Sequence, residues 1–131
     1  MASTIMVVDD DSTILRLVEL VLHRLQCTVV TVDEPAEAME MLASVSPDLI
    51  ILDQMMPRVN GFELCRQIRS YAPTARTPII MLSALYDPTS VTEGLKAGAN
   101  VYVSKSALHS DLVKHVRGLL NIDNNLDAKA I

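Results

Sequence analysis

Short apolar runs alternate along the chain with segments whose apolar residues recur at helical spacing. Residues 5–8, 49–52 and 79–82 are continuously apolar, which is typical of strands covered on both faces. Residues 27–32 and 101–103 are rich in valine and also favour strands. The pattern therefore predicts five strands.

The intervals between these runs carry apolar residues three and four positions apart, as amphipathic helices do. Four intervals show the spacing clearly, at Ile14, Val18, Val21 and Leu25; at Ala38, Met41, Leu42 and Val45; at Leu64, Cys65 and Ile68; and at Leu108, Leu112, Val116 and Leu119. A weaker helix is expected over residues 87–97, with Gly98 as its stop. Five helices thus alternate with five strands.

This alternation fixes the fold class. Parallel neighbours need crossover connections, and those are right-handed in about 98% of cases. We therefore predict a doubly wound α/β fold with a five-stranded parallel sheet, although composition does not fix the strand order. Because an open sheet of this kind places its site beyond the carboxyl ends of the strands, functional residues are expected there.

Polar residues follow the predicted strands at those ends. They are Asp9 and Asp10 after the first strand, Asp53 after the third, Ser83 at the end of the fourth and Lys105 after the fifth. Two carboxylates about 4 Å apart repel by roughly 4 kcal/mol at an effective dielectric near 20, so protons or a cation must relieve the repulsion. An oxygen-only cluster matches Mg²⁺. We therefore predict an Mg²⁺ site.

One carboxylate beside such a cation can attack a phosphoryl group, and Asp53 is our choice of nucleophile. Lys105 and Ser83 would then balance charge on the phosphoryl oxygens together with the metal. A single aspartate after a strand commonly caps the next helix instead. The whole set at successive strand ends favours phosphoryl chemistry.

Composition and charge narrow the class of protein. The 131 residues suit one domain. Acidic residues outnumber basic ones 16 to 11, and the net charge of -5 argues against direct binding of nucleic acid or an anionic membrane. Cys27 and Cys65 lack Cys-x-x-Cys spacing and favour free thiols in a reducing compartment. The first apolar run is too short for a signal peptide, so we expect a cytoplasmic protein.

Five separated motifs occur in a fixed order. They are VDD at 8–10, D-x-x-M-P-x-x-x-G at 53–61, SA at 83–84, G-x-x-A-G-A at 94–99, and Tyr102 followed by Lys105. In this order and spacing they resemble the response regulator receiver domains of bacterial two-component signalling. The resemblance implies a receiver domain over 1–120 with the flavodoxin-like strand order 2-1-3-4-5. Residues 121–131 are then a C-terminal tail or the start of a linker.

The resemblance also implies roles for the acidic residues. Asp53 would accept a phosphoryl group from a histidine kinase or phosphotransfer protein. Asp10 would contact Mg²⁺ directly, Asp9 would act through water, and the backbone carbonyl of Met55 would add a ligand beside Asp53. The protein would then be a signalling domain that catalyses only its own phosphorylation and dephosphorylation.

Further roles follow from the same resemblance. Ser83 and Tyr102 look like the family's switch pair, in which the hydroxyl moves toward the phosphoryl group and the ring rotates inward. Lys105 would contact the phosphoryl group. Met55 and Leu85 flank the site as bulky apolar residues, and we hypothesise that they slow loss of the phosphoryl group. The signal would leave through the fourth helix, fifth strand and fifth helix toward a downstream protein or output domain.

Two positions depart from the family pattern. Ser106 stands where the family usually has a proline, often with a cis peptide, so the loop of Lys105 either keeps that strained bond or turns trans. The placement of the ammonium depends on which occurs. Asn100 stands where many DNA-binding members carry an acidic residue used in dimer contacts. That mode of dimerisation is therefore not expected.

Two alternatives stay open at this stage. Asp9-x-Asp11-x-Thr13 satisfies the first motif of haloacid-dehalogenase-type phosphatases, but the acidic motif they need after the lysine is missing and Asp53 would have no role. A receiver-like interaction module that signals without phosphorylation is the second alternative. The intact acidic set argues against it.

Overall fold

The computed structural model describes residues 2–122, in which five parallel strands form one sheet. The strands are β1 (Thr4–Val8), β2 (Thr28–Val32), β3 (Leu49–Asp53), β4 (Ile79–Ser83) and β5 (Val101–Ser104). Their spatial order, β2-β1-β3-β4-β5, confirms the expected 2-1-3-4-5. The direction of winding reverses between β1 and β3, so a crevice opens beyond the ends of these two strands.

Five α-helices connect the strands within the described residues. They are α1 (Ser12–His23), α2 (Ala38–Val45), α3 (Gly61–Ser70), α4 (Pro88–Ala97) and α5 (Val113–Leu120). Short 3₁₀ turns lie at Pro35–Glu37, Ala72–Thr74 and Lys105–Ala107. Each predicted helix is present, and Gly98 ends α4 in the left-handed conformation, as expected.

Two local features differ from the sequence-based expectation. A small antiparallel hairpin pairs Met55–Met56 with Val59–Asn60 between β3 and α3. The last helix starts with a π-helical turn over Leu108–Leu112 rather than as α-helix. Leu108 and Leu112 are nevertheless buried there, so the apolar face predicted for this segment does face the sheet.

The core forms one cluster on each face of the sheet. Ile5 and Val7 of β1 pack with residues of α1 and α5, while Met6 and Val8 pack with residues of α2, α3 and α4. This alternation follows from the pleat, which points successive side chains to opposite faces. The continuous apolar runs are thus explained by helices on both sides, as in the predicted doubly wound fold.

Arg69 of α3 ties the carboxyl end of α4 to the loop before β4. Its Nε donates to the carbonyl of Gly98 at 2.9 Å, and its Nη1 donates to that of Thr77 at 2.6 Å. Its Nη2 donates to Oδ1 of Asn100, which also accepts from the backbone N–H of Ile79, both at 2.8 Å. The Asn100 side chain, although exposed, is therefore held by hydrogen bonds within the domain.

None of the helices within residues 2–122 has the length and hydropathy that crossing a bilayer requires.

Candidate functional site

The carboxyl ends of β1 and β3 bring three aspartates together. The two strands pair in register up to Val8 and Leu52, so Asp9 and Asp53 emerge side by side. One carboxylate oxygen from each of Asp9, Asp10 and Asp53 lies within 4.8 Å of the other two. Asp9 and Asp53 are buried, and Asp10 is exposed. The structure thus assembles the three predicted metal ligands.

Lys105 reaches the same cluster from the end of β5. Its Nζ lies 3.1 Å from Oδ2 of Asp9 and 3.1 Å from Oδ1 of Asp53. No peptide bond in the described part of the chain is cis, so the bond before Ser106 is trans. The hydroxyl of Ser104 accepts from the backbone N–H of Ser106 at 3.2 Å and holds this turn. The ammonium therefore reaches the cluster without the proline that is usual in the family.

Burial and charge together perturb both partners of this ion pair. Burial, reinforced by the negative charge of Asp9, raises the pKa of Asp53 to about 6, against the opposing effects of Lys105 and the Met55 N–H. For Lys105, burial lowers the pKa, but hydrogen bonding and attraction from Asp53 and Asp9 outweigh it, and the net shift is upward. The lysine is therefore a permanent cation at neutral pH.

The charges of this cluster are only partly balanced. One ammonium faces three carboxylates, and a pair of charges 4.8 Å apart still repels by about 3.5 kcal/mol at an effective dielectric near 20. Oδ2 of Asp9 is fully buried, and its polar partner among the described residues is the ammonium of Lys105, which it shares with Asp53. A buried anionic oxygen in this condition fits a hard divalent cation with oxygen ligands.

The third aspartate of the first run, Asp11, has a different task. Its carboxylate accepts from the backbone N–H of Thr13 at 2.9 Å and caps α1. Its own N–H donates to Oδ1 of Asp9, also at 2.9 Å. The helix-capping interpretation is therefore right for Asp11, which positions Asp9 through its backbone.

Ser83 and Tyr102 are linked through a residue that the sequence did not single out. The Ser83 hydroxyl donates to Oε1 of Gln54 at 2.5 Å and accepts from the backbone N–H of Leu85 at 2.9 Å. The Tyr102 phenol lies within hydrogen-bond distance of the same Oε1 and 2.8 Å from the Leu85 carbonyl. A polar residue that continues a fully buried strand was the available signal for Gln54.

Two glycines make room for this arrangement. A Cβ at Gly61 would lie 2.2 Å from the carbonyl oxygen of Asp53, so only glycine fits against the backbone at the end of β3. A Cβ at Gly94 of α4 would lie 2.7 Å from Cδ2 of Tyr102. The Tyr102 ring, 5% exposed, thus occupies space that an alanine in α4 would take.

Two apolar side chains stand at the rim of the site. Met55 is 60% exposed and Leu85 is 46% exposed. The backbone N–H of Met55 donates to Oδ1 of Asp53 at 3.4 Å. The main chain of Met55 therefore touches the site, while metal ligation by its carbonyl stays a prediction.

Comparison with known proteins adds independent findings. The profile of the response regulator receiver domain family matches residues 5–117. The DNA-binding response regulator MtrA of Mycolicibacterium paratuberculosis is 31% identical over 131 residues, which is 100% of this chain and 57% of that protein. The chain thus spans little more than half the length of this curated relative.

Solved structures agree in fold. The chemotaxis protein CheY4 of Vibrio cholerae superposes with a TM-score of 0.85 and 28% identity, over 91% of this chain and 99% of that one. The BeF3-activated N-terminal receiver domain of RstA from Klebsiella pneumoniae gives 0.82 and 30%, over 89% and 97%.

Proposed function

The chain belongs to the response regulator receiver domain family, and from this premise we propose that Asp53 accepts a phosphoryl group from a histidine kinase or a phosphotransfer protein. One observation carries the proposal. The buried Asp53 carboxylate ends β3 beside Asp9 and Asp10, with the ammonium of Lys105 at 3.1 Å. A carboxylate that is paired with a fixed cation beside a cation site has the surroundings that phosphoryl transfer requires.

Mg²⁺ is the cation that we propose for the cluster. Asp9, Asp10 and Asp53 would hold it through carboxylate oxygens, with the Met55 carbonyl as a further ligand. When bound, it neutralises charge on the carboxylates and on the phosphoryl oxygens. The buried oxygen of Asp9 supports this assignment, because three carboxylates share the single ammonium of Lys105.

The protein's own residues would act as follows. A carboxylate oxygen of Asp53 attacks phosphorus, the bond from phosphorus to the donor breaks, and an acyl phosphate forms. Lys105 stays protonated and stabilises the added negative charge. The Ser83 hydroxyl turns toward a phosphoryl oxygen and donates to it. Hydrolysis of the acyl phosphate consumes one water, releases inorganic phosphate and returns the free carboxylate, so the domain catalyses only its own phosphorylation and dephosphorylation.

The signal would leave through the surface of α4, β5 and α5. The exposed Tyr86 packs at a tilt against Tyr102, with ring centroids 5.8 Å apart, and Leu95 of α4 is 46% exposed. These side chains offer a downstream protein or output domain an apolar contact. MtrA is a DNA-binding protein by name, but the acidic balance of this chain supports protein partners rather than direct contact with nucleic acid or membrane. Free thiols at Cys27 and Cys65 support a cytoplasmic location.

The domain limits belong to the proposal as well. We assign residues 1–120 to the receiver domain and 121–131 to a tail or linker. Of that tail, residues 123–131 lie outside the described part of the chain.

The two alternatives have become weaker. The phosphatase alternative is not favoured, because the family match is to receiver domains and Asp9 is held by Asp11 and Lys105. A module that signals without phosphorylation would not need the acidic cluster that the structure assembles.

Labelling with a small phosphodonor such as acetyl phosphate tests the proposal. We expect a mass increase of one phosphoryl group that requires Mg²⁺ and is lost in Asp53→Asn. Asp11→Asn is the matched control, because it removes an aspartate of the neighbouring run that lies outside the cluster, and it should keep the label. Loss of the label in Asp9→Asn but not in Asp53→Asn would restore the phosphatase alternative. No labelling by any donor would favour the phosphorylation-independent module. Candidate kinases can then be tested in the same assay.

A further inference from the structure

Gln54 is a buried amide that joins two hydroxyls. It directly follows Asp53, is 9% exposed, and its Oε1 lies 2.5 Å from both Ser83 Oγ and Tyr102 Oη. An amide oxygen has two lone pairs, so it can accept from both hydroxyls at once. A hydrogen-bonded path from Ser83 to Tyr102 therefore runs through one atom of Gln54.

The hydrogen bonds to Gln54 are sensitive to phosphorylation, because each of the two hydroxyls has only one proton to donate. The Ser83 hydroxyl has one proton, which it gives to Gln54, while Leu85 N–H donates to its oxygen at 2.9 Å. To donate to a phosphoryl group on Asp53, Ser83 must withdraw that proton from Gln54. The Tyr102 phenol also has one proton but two acceptors, Oε1 of Gln54 and the Leu85 carbonyl at 2.8 Å.

We propose that Gln54 is a positioning residue that relays the phosphorylation state of Asp53 from Ser83 to Tyr102. The inference rests on the proposed function, because it needs a phosphoryl group to draw Ser83 away. When Ser83 leaves, Oε1 loses one of its two donors. A buried carbonyl that loses a hydrogen bond raises the free energy of the folded state. The Tyr102 hydroxyl therefore donates to Gln54 rather than to the Leu85 carbonyl, and the ring is held inward more firmly.

Fluorotyrosine labelling reads this relay directly. The chain has three tyrosines, and Tyr102→Phe assigns the ¹⁹F resonance of interest. In the wild-type protein, beryllofluoride with Mg²⁺, a stable phosphoryl mimic, should displace the Tyr102 resonance. In Gln54→Met, which keeps length and bulk but loses the amide oxygen, the mimic should still bind while the displacement becomes several-fold smaller. Gln67→Met makes the same change at an exposed position of α3 and should behave as wild type.

Two further measurements do not depend on Gln54→Met alone. Ser83→Ala frees the same lone pair of Gln54, so the Tyr102 resonance of the ligand-free variant should move toward the position that wild type shows with the mimic. Tyr102→Phe should weaken beryllofluoride binding by about 2- to 10-fold in the wild-type background, the range of one neutral hydrogen bond. It should have no effect in the Gln54→Met background.

The outcomes separate the two proposals. If Gln54→Met shows the wild-type displacement, or if Tyr102→Phe weakens binding equally in both backgrounds, the relay is wrong and the proposed function stands. If wild-type protein neither binds the mimic nor accepts a phosphoryl group, the proposed function fails and the relay fails with it. If Gln54→Met does not fold, a ligand-free Ser83→Ala spectrum identical to that of wild type is enough to reject the relay.

Discussion

Replacing Asp53 with asparagine should stabilise the metal-free protein at neutral pH, although it removes the proposed phosphoacceptor. Burial and the charge of Asp9 raise the pKa of Asp53 from its ordinary value of 3.8 to about 6. At about 1.4 kcal/mol per pKa unit, ionising Asp53 costs the folded state about 3 kcal/mol. Asparagine has nearly the same shape, can still accept from Lys105 and the Met55 N–H, and carries no charge.

The effect should depend on pH with a definite sign. Because the folded-state pKa lies above the unfolded one, the contribution of Asp53 to stability is complete below pH about 4 and is lost as the pH rises through about 6. Asparagine does not ionise, so the stability of the variant does not fall over this pH range. The difference in unfolding free energy should therefore be near zero at pH about 4 and about 3 kcal/mol in favour of the variant above pH about 7.

Urea unfolding of both proteins in a chelator measures this difference. With an m-value of about 1 to 3 kcal/mol per molar, the midpoint should rise by about 1 to 3 M at neutral pH. Saturating Mg²⁺ should stabilise the wild-type protein, by about 2.7 kcal/mol at 100 times its Kd, and the variant much less. Asp11→Asn should change neither quantity, because asparagine also caps helices well. A metal-free Asp53→Asn protein that is less stable than wild type at neutral pH, or a difference that ignores pH, would refute the reasoning.

Four further substitutions test other parts of the site. Met55→Asn or Leu85→Ala should speed loss of the phosphoryl group by about 5-fold. Asparagine adds a hydrogen bond to the attacking water, and alanine removes an apolar side chain that shields the site. An unchanged rate of label loss would contradict this. Gly94→Ala should displace the Tyr102 ring, since the new Cβ would lie 2.7 Å from it. The clash should lower the unfolding free energy by about 1 kcal/mol after the higher helix propensity of alanine is taken into account. An undisturbed ¹⁹F resonance of Tyr102 would be inconsistent with that packing. Lys105→Met should tighten Mg²⁺ binding in calorimetry, because a competing cation is removed, and should slow phosphorylation; weaker Mg²⁺ binding would count against the role of Lys105.

The sequence predicts most of the fold because its signals are periodic and local. Continuous apolar runs identify the buried strands, and helical spacing identifies the intervening helices, so the crossovers and the shared edge follow from topology. The convergence of Asp9, Asp10 and Asp53 at that edge is confirmed. The strand order came from the family resemblance, since periodicity alone does not order parallel strands.

Other features could not be predicted from the sequence, for physical reasons. Gln54 gains its role from hydroxyls 29 and 48 positions away, and no local pattern encodes a hydrogen bond between distant strand ends. The hairpin at Met55 and the π-helical turn at Leu108 are single-turn features that periodicity does not resolve. The consequence of Ser106 for Lys105 was also not predictable, because the sequence allows two peptide geometries and only the fold selects the trans one.

The guanidinium of Arg69 gives α4 one fixed end. It holds the Gly98 carbonyl, while the opposite end of the helix begins at Pro88, beyond the segment that carries Leu85 and Tyr86. If α4 tilts, the backbone at Gly98 therefore moves least and the backbone at Pro88 moves most. A helix of 10 residues is about 15 Å long, so a tilt of about 10° would sweep its amino end through roughly 2 to 3 Å. A rearrangement beside Tyr102 that tilted α4 would therefore move the surface near Pro88 more than the surface near Gly98.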